Sequence, residues 1–413
     1  MNHVNPKKQT QTLKKIILAF SGGLDTSAII PWLIETYQAE VIAYCSDLGN
    51  APDENHLRKW ALQLGAVDFI FEDVKAEFVS RFAFQAVRAG ATYQDDYLLG
   101  TSLGRPLIAE RMAYWAQKLG ADAVAHGCTG KGNDQLRFER SWAYLIPEAK
   151  VIAPWRIWDF KGRSDLIQYL QQKGIEMVAH EKRFSEDVNL FHRSCEGGIL
   201  EDPGQEFKTE DVYQWVKPLA QAETHPTKVM IHFEQGIAVA VNEKPLAPVQ
   251  LLTMLNQLAG KYGIGVQDIV EERANGIKSR GIYETPGGYL LHAALKNLKH
   301  LCWDRSLLST ARFLGGQYGE CLYDGFFHSD QREALEAFFV QAASTLTGSV
   351  EMKLEKGTLI FTGRFSPYSL YDNQTVTFEA DEMGIHHQAE GYCKIIAIKQ
   401  RQQGKRHLKK GSK

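Results

Sequence analysis

The sequence predicts an α/β protein: a doubly wound parallel sheet, then an α+β region, then a C-terminal helical arm. Three observations carry this. Short apolar runs alternate with amphipathic helical patterns as far as Gly174. Beyond that, hairpin signals and longer helices replace the alternation. The last stretch pairs a one-faced helical pattern with a basic end. The expected divisions are residues 1–178, 179–385 and 386–413.

The opening MNHVNPKKQTQTLKK is polar and lacks the apolar centre of a secretory signal, so it reads as a short flexible leader. Strand-like runs follow: IILAF, EVIAYC, VDFIF, DAVAHG and KVIAPW. Between them lie helical segments such as ENHLRKWALQLG, RPLIAERMAYWAQKLG and RSDLIQYLQQKG, which end in Gly65, Gly120 and Gly174, where a left-handed cap favours glycine. Such alternation specifies a parallel sheet, whose ligands bind beyond the C-terminal strand ends. In the second region, TKVMIHF and IAVAVN flank Glu234-Gln235-Gly236, and SVEMKLE and TLIFTG flank Lys356-Gly357, two expected hairpins. PVQLLTMLNQLAGKYG and REALEAFFVQAASTL read as helices between them. Tyr392, Ile395, Ile396 and Lys399 suit one face of a short helix, and the basic residues 403–413 are expected to stay unordered because like charges repel.

At 413 residues two domains are the prior expectation. Hydrophobic residues at 44% and charged residues at 23% are ordinary globular proportions, so no disordered or fibrous class is indicated. No apolar run reaches the roughly eighteen residues of a membrane span. A net charge of −2 gives no broad electrostatic reason to expect nucleic acid. The six cysteines, Cys45, Cys128, Cys195, Cys302, Cys321 and Cys393, have neither CxxC nor zinc-site spacing and read as small buried hydrophobes in a reducing compartment. The simple location is cytoplasmic.

Ser21-Gly22-Gly23 leaves the first strand and opens a helix. Glycines let backbone approach a ligand closely, and first-turn amides with the helix dipole suit a phosphate or pyrophosphate. Ser21, Thr26 and Ser27 add hydroxyl donors, while Asp25 can cap the helix or help hold Mg²⁺. The plain alternative is an ordinary capped strand-to-helix turn. The chain has neither GxxxxGK[ST] nor GxGxxG after its first strand. SGGLDTS resembles instead the pyrophosphate loop of ATP pyrophosphatases, which cleave ATP between the α- and β-phosphates.

A second glycine-rich segment, His126 to Asn133, follows the fourth strand. Gly127, Gly130 and Gly132 allow close approach, and Thr129, Asn133 and Asp134 mix donors with acceptors, a set suited to an amino acid; a mobile glycine loop is the bland alternative. Arg137, on the next helix, can clamp a carboxylate, although a lone helical arginine is by default solvated. Tyr97 and Ser102 precede a helix expected to begin near Leu103, and without further context read as a core aromatic and a cap.

DDYLLGTSLGRP (95–106), AHGCTGKGNDQLRFE (125–139), SEDVNLFHRSCEGGILE (185–201) and EERANGIKSRGIYETPGG (271–288), together with SGGLDTS, closely resemble the argininosuccinate synthase family of the PP-loop superfamily, almost collinearly from Lys14 to the C-terminal arm. The resemblance implies an ATP site formed by Ala19, Phe20, Ser21, Gly22, Gly23, Leu24, Asp25, Thr26, Ser27 and Ser46, completed by Ala125, His126, Gly127, Cys128, Thr129, Gly130, Lys131, Gly132 and Asn133. It implies aspartate binding by Thr129, Asn133 and Asp134, and citrulline binding by Tyr97, Ser102, Asn133, Arg137, Ser185, Ser194, Glu271 and Tyr283. Four of the latter lie beyond residue 178, so the citrulline pocket is expected between domains. Phe20 stands where Tyr is frequent, and Ser46 where a small apolar residue is usual.

The implied activity is ATP-dependent condensation of L-citrulline with L-aspartate, releasing AMP and pyrophosphate through a citrullyl-adenylate. ATP with Mg²⁺ is the implied cofactor, and no metal site built by the protein alone is expected. Catalytic roles fall to Asp25, towards Mg²⁺, and to Asp134, which either pairs with the aspartate ammonium or accepts its proton. The family forms homotetramers, so the arm is expected to dock on a neighbouring subunit. A tRNA-thiolating relative would show a cysteine pair and a basic face, and neither is evident.

Overall fold

In the computed structural model, residues 13–49, 53–176, 183–377, 379 and 383–411 are described. Residues 1–12 of the expected leader and the expected 178/179 boundary lie outside them, and the leader's last residue, Lys15, opens the first strand. The chain forms two compact units, Met1–Tyr368 and Ser369–Lys413.

The first unit opens with β1 (Lys15–Ala19), β2 (Glu40–Asp47), β3 (Asp68–Asp73), β4 (Ala123–Ala125) and β5 (Lys150–Ile152). All pair in parallel, in the order β3-β2-β1-β4-β5. Alternation along β1 explains the double winding. Ile16 and Leu18 pack with the helices Leu24–Tyr37, Glu54–Gln63 and Arg163–Gln172, while Ile17 faces the opposite layer with Met112 and Trp142. Gly65, Gly120 and Gly174 all take positive φ, as helix-ending glycines do. The strand order reverses between β1 and β4, so their two following loops flank one crevice.

Among the described residues, nine further strands belong to the unit: β6 (Ser185–Val188), β7 (Arg193–Glu196), β8 (Thr227–Glu234), β9 (Ile237–Val241), β10 (Lys244–Pro245), β11 (Val266–Glu272), β12 (Lys278–Glu284), β13 (Gly348–Glu355) and β14 (Thr358–Phe365). They form two antiparallel sheets, β10-β9-β8-β13-β14 and β11-β12-β7-β6. Both expected hairpins form, with Gln235-Gly236 and Lys356-Gly357 at positive φ in their turns. The helices Pro248–Lys261, Pro286–Cys302 and Arg305–Tyr323 pack with these strands in the largest core, where Leu251, Leu291 and Leu322 are fully buried.

In the second unit, helices Ile385–Ile396 and Ile398–Gly411 follow one another. Residues 403–411 are therefore helical, not the unordered tail expected from charge. Its basic residues are interspersed with Gln403 and Leu408 and sit on a helix already nucleated by the preceding turns. No helix among the described residues is long and apolar enough to cross a membrane.

Candidate active site

The loop after β1 is held by its own hydroxyls. Thr26 Oγ1 donates to the Gly23 carbonyl at 3.2 Å and accepts from the Ser21 amide at 3.4 Å. The helix begins at Leu24, so the amides of Leu24, Asp25 and Thr26 have no intrahelical carbonyl and open into the crevice. Gly22 sits at φ +73°, where a Cβ would lie 2.6 Å from Leu57 Cδ2. Across the crevice, Gly127 approaches so closely that a Cβ would meet Thr26 Cγ2 at 3.1 Å. Ser27 differs from the expectation: it is fully buried, and its hydroxyl accepts from Trp60 Nε1 at 2.8 Å, so it braces the loop.

These loops border a cavity of about 440 Å³, lined by Ala19, Phe20, Ser21, Gly23, Asp25, Thr26, Ser46, His126, Gly127 and Cys128, with Tyr44, Ile108 and Phe138 as an apolar wall. His126 is buried; its Nδ1 accepts from the Cys128 amide at 3.2 Å, which leaves Nε2 to donate to Glu139 at 3.0 Å. Burial pushes the Asp25 carboxyl up, partly countered by Arg163, and burial likewise pushes the Cys128 thiol up. A protonated thiol is no nucleophile.

A second cavity of about 280 Å³ adjoins the first. Of the expected residues it gathers Tyr97, Thr129, Asn133, Asp134, Arg137, Ser185, Ser194, Glu271 and Tyr283, from both sequence regions. Arg137 is only 3% exposed, against the solvated default, because its Nε donates to the Tyr323 carbonyl and its Nη1 to Asp134 at 2.9 Å. Tyr283 OH donates to Glu271 Oε1 at 2.5 Å, and Ser194 faces Tyr283 across β7 and β12. Burial holds the Tyr97 and Tyr283 phenols well above their usual range, so both remain donors. The turn after β11 closes over Asn133, whose Oδ1 accepts from the Ala274 amide at 3.0 Å, leaving its NH₂ for a ligand.

Ser102 lines neither cavity. It is fully buried inside the helix Gly100–Leu119, which starts three residues earlier than expected because Leu99 takes φ 66° and turns the chain there. Gly130 and Lys131 also line neither cavity, and Ala125 is buried in β4.

Sequence reasoning missed Arg105, Asp187, Glu196, Arg273 and Tyr323, all cavity-lining. The first four lie inside the quoted blocks, but nothing in spacing marks them. Arg105 Nε donates to Asp134 at 2.9 Å and Nη2 to Asp187 at 2.8 Å. Arg105, Cys128, Asp134, Ser185 and Asp187 line both cavities and so form their junction. Burial raises the Glu196 carboxyl, opposed by Arg273, which pairs with it at 2.8 Å.

Free helix-start amides suited to phosphate, beside a cavity lined by both charges, fit the class of nucleotide-dependent enzymes that handle amino acids. Two family models cover most of the chain: "Arginosuccinate synthase N-terminal HUP domain" over residues 15–176 and "Arginosuccinate synthase C-terminal domain" over 184–403. A protein named argininosuccinate synthase from Thermoanaerobacter pseudethanolicus is 47% identical over 386 residues, 93% of this chain and 94% of that one. Proteins of the same name from Clostridium tetani (46% over 388 residues; 94% and 97%) and Desulfitobacterium hafniense (46% over 393; 95% and 96%) are similar throughout. The chain belongs to the argininosuccinate synthase family. A solved structure described as a predicted subunit of tRNA methyltransferase from Methanocaldococcus jannaschii overlaps 40% of this chain and 89% of that one at TM-score 0.26 and 13% identity, too low a likeness to bear on fold or function.

Proposed function

We propose that this chain condenses L-citrulline with L-aspartate, converting ATP to AMP and pyrophosphate, in arginine biosynthesis. The observation that carries the reading is the junction: a pyrophosphate-type loop and an amino-acid cavity share a wall, in a chain of this family. The ureido oxygen of citrulline is a poor leaving group. It attacks the α-phosphorus, its new O–P bond replacing the bond to pyrophosphate, which departs into the amides after Ser21. The aspartate amine then attacks the activated carbon, and AMP leaves. Most of the rate comes from holding three substrates in register and offsetting phosphate charge.

Asp134 and Arg137 orient the amino acids, and Glu271 Oε2, buried and unpaired among the described residues, suits the citrulline ammonium. No group of three His, Cys, Asp or Glu among the described residues is placed to chelate a cation. Asp25, which lines the first cavity, would hold magnesium carried on the ATP phosphates, and the ion would there offset phosphate charge.

The reading gives nucleotide binding to residues 1–178, synthesis and assembly contacts to 179–385, and docking on a neighbouring subunit of a cytoplasmic homotetramer to 386–413. The exposed Tyr392, Ile395 and Ile396 support the last point. A chain lacking the arm that still sediments as a tetramer contradicts it. The test of function is AMP release with each substrate withheld in turn: release should require both citrulline and aspartate, and turnover with RNA or glutamine instead would discard the reading.

A further inference from the structure

The cavity junction needs an anion for a specific chemical reason. When the ureido oxygen bonds to phosphorus, the ureido group becomes an O-phosphoryl isouronium, with positive charge spread over its two nitrogens. The carboxylates near the junction are mostly committed. Asp134 accepts from Arg105 on one oxygen and from Arg137 on the other, each at 2.9 Å. Glu196 is tied to Arg273 and Glu186 to Arg193, while Glu271 gives one oxygen to Tyr283 and keeps the other for the citrulline ammonium, in the second cavity only. Asp187 is different. It lines both cavities, and Arg105 Nη2 holds its Oδ1 at 2.8 Å. Its backbone amide donates to Ser194 Oγ at 3.3 Å. Its Oδ2 is buried and makes no hydrogen bond among the described residues. The nearby Thr101 hydroxyl is shared with His192 Nε2 at 2.9 Å.

We propose that Asp187 is a catalytic carboxylate whose free Oδ2 accepts hydrogen bonds from the ureido N–H groups of citrulline and stabilises the positive charge they acquire during adenylation. This rests on the function proposed above. The step balances without another reactant: the ureido oxygen supplies the electron pair of the new O–P bond, pyrophosphate leaves with the pair of the broken one, and the protons stay on nitrogen beside Asp187. A cation that resembles a guanidinium pairs well with a carboxylate in a site shielded from water. Burial opposes ionisation of Asp187 most strongly, but Arg105, His192 and the Thr101 hydroxyl together hold the carboxyl below its usual range, which suits a fixed charge better than a proton acceptor.

The test uses the full-length enzyme and two readouts: citrulline-dependent exchange of labelled pyrophosphate into ATP, and the affinities of citrulline and S-methyl-L-thiocitrulline, whose isothiouronium head carries the charge of the activated ureido group. Asp187→Asn keeps the shape and an acceptor for Arg105 but removes the charge. Exchange should fall by about 10²–10³-fold, and the cationic analogue should lose about tenfold more affinity than citrulline does. Asp187→Glu, which restores the charge, should retain the preference for the analogue. Exchange within about threefold of wild type in Asp187→Asn, or equal loss of both ligands, overturns the proposal. Wild-type enzyme that shows no citrulline-dependent exchange removes the function reading itself, a distinct outcome.

Discussion

Arg105 Nε donates to Asp134 Oδ2 at 2.9 Å, joining the helix Gly100–Leu119 to the helix that opens directly after the glycine loop. With Asp187 on its other side, Arg105 bridges two carboxylates at the cavity junction. Replacing Arg105 by Met leaves those carboxylates facing each other, and breaking a buried pair from one side costs about 3–5 kcal/mol. Urea denaturation should show a loss of that order, along with loss of turnover. Unchanged stability would mean that water screens the pair.

Asp134 opens its helix at the edge of the amino-acid cavity. Asp134→Asn should impair aspartate use more than citrulline-dependent adenylate formation. Equal losses in pyrophosphate exchange and in overall synthesis would refute that division of labour.

Gly22→Ala places a Cβ at φ +73° and 2.6 Å from Leu57 Cδ2. A strained backbone of this kind costs of order 1–3 kcal/mol, and relief would pull the loop amides away from the phosphates. Calorimetry should show ATP affinity lowered at least about tenfold, the equivalent of about 1.4 kcal/mol. Wild-type affinity would show that the loop tolerates a different conformation.

The parallel region was legible because its strands are short apolar runs closed by glycine-capped helices, and Gly65, Gly120 and Gly174 stand where those helices end. The pyrophosphate-type loop was legible because SGGLDTS is local: every group that shapes it lies within a few residues. Arg105 and Asp187 were not, because 82 residues separate them and only the folded sheets make them neighbours. The burial of Ser102 and Ser27 was not legible either, for the opposite reason. A hydroxyl beside a motif looks available in sequence, and only packing against Trp60 or inside a helix shows which way it faces. Arg137 was read as a carboxylate clamp against a solvated default, but its burial under the Tyr323 carbonyl, from a helix far along the chain, had no sequence signal.

His192 gives a pH dependence. It is fully buried, and burial lowers its pKa from 6.5 to about 4. Between those values the unfolded chain binds a proton that the folded chain does not. Stability is therefore complete above about pH 6.5 and falls by about 1.4 kcal/mol per unit as pH drops towards 4. His192→Asn should flatten the urea-derived stability curve in this window. An unaltered slope would assign the acid sensitivity to other groups.

The most direct measurement is a crystal structure of the enzyme with ATP and citrulline. The account predicts the β- and γ-phosphates on the amides of Gly22 to Thr26, the base against Phe20 and Phe138, and the ureido group between Asp187 and the α-phosphorus. Phosphates bound elsewhere, with the Ser21–Thr26 loop empty or filled by side chains, would contradict it.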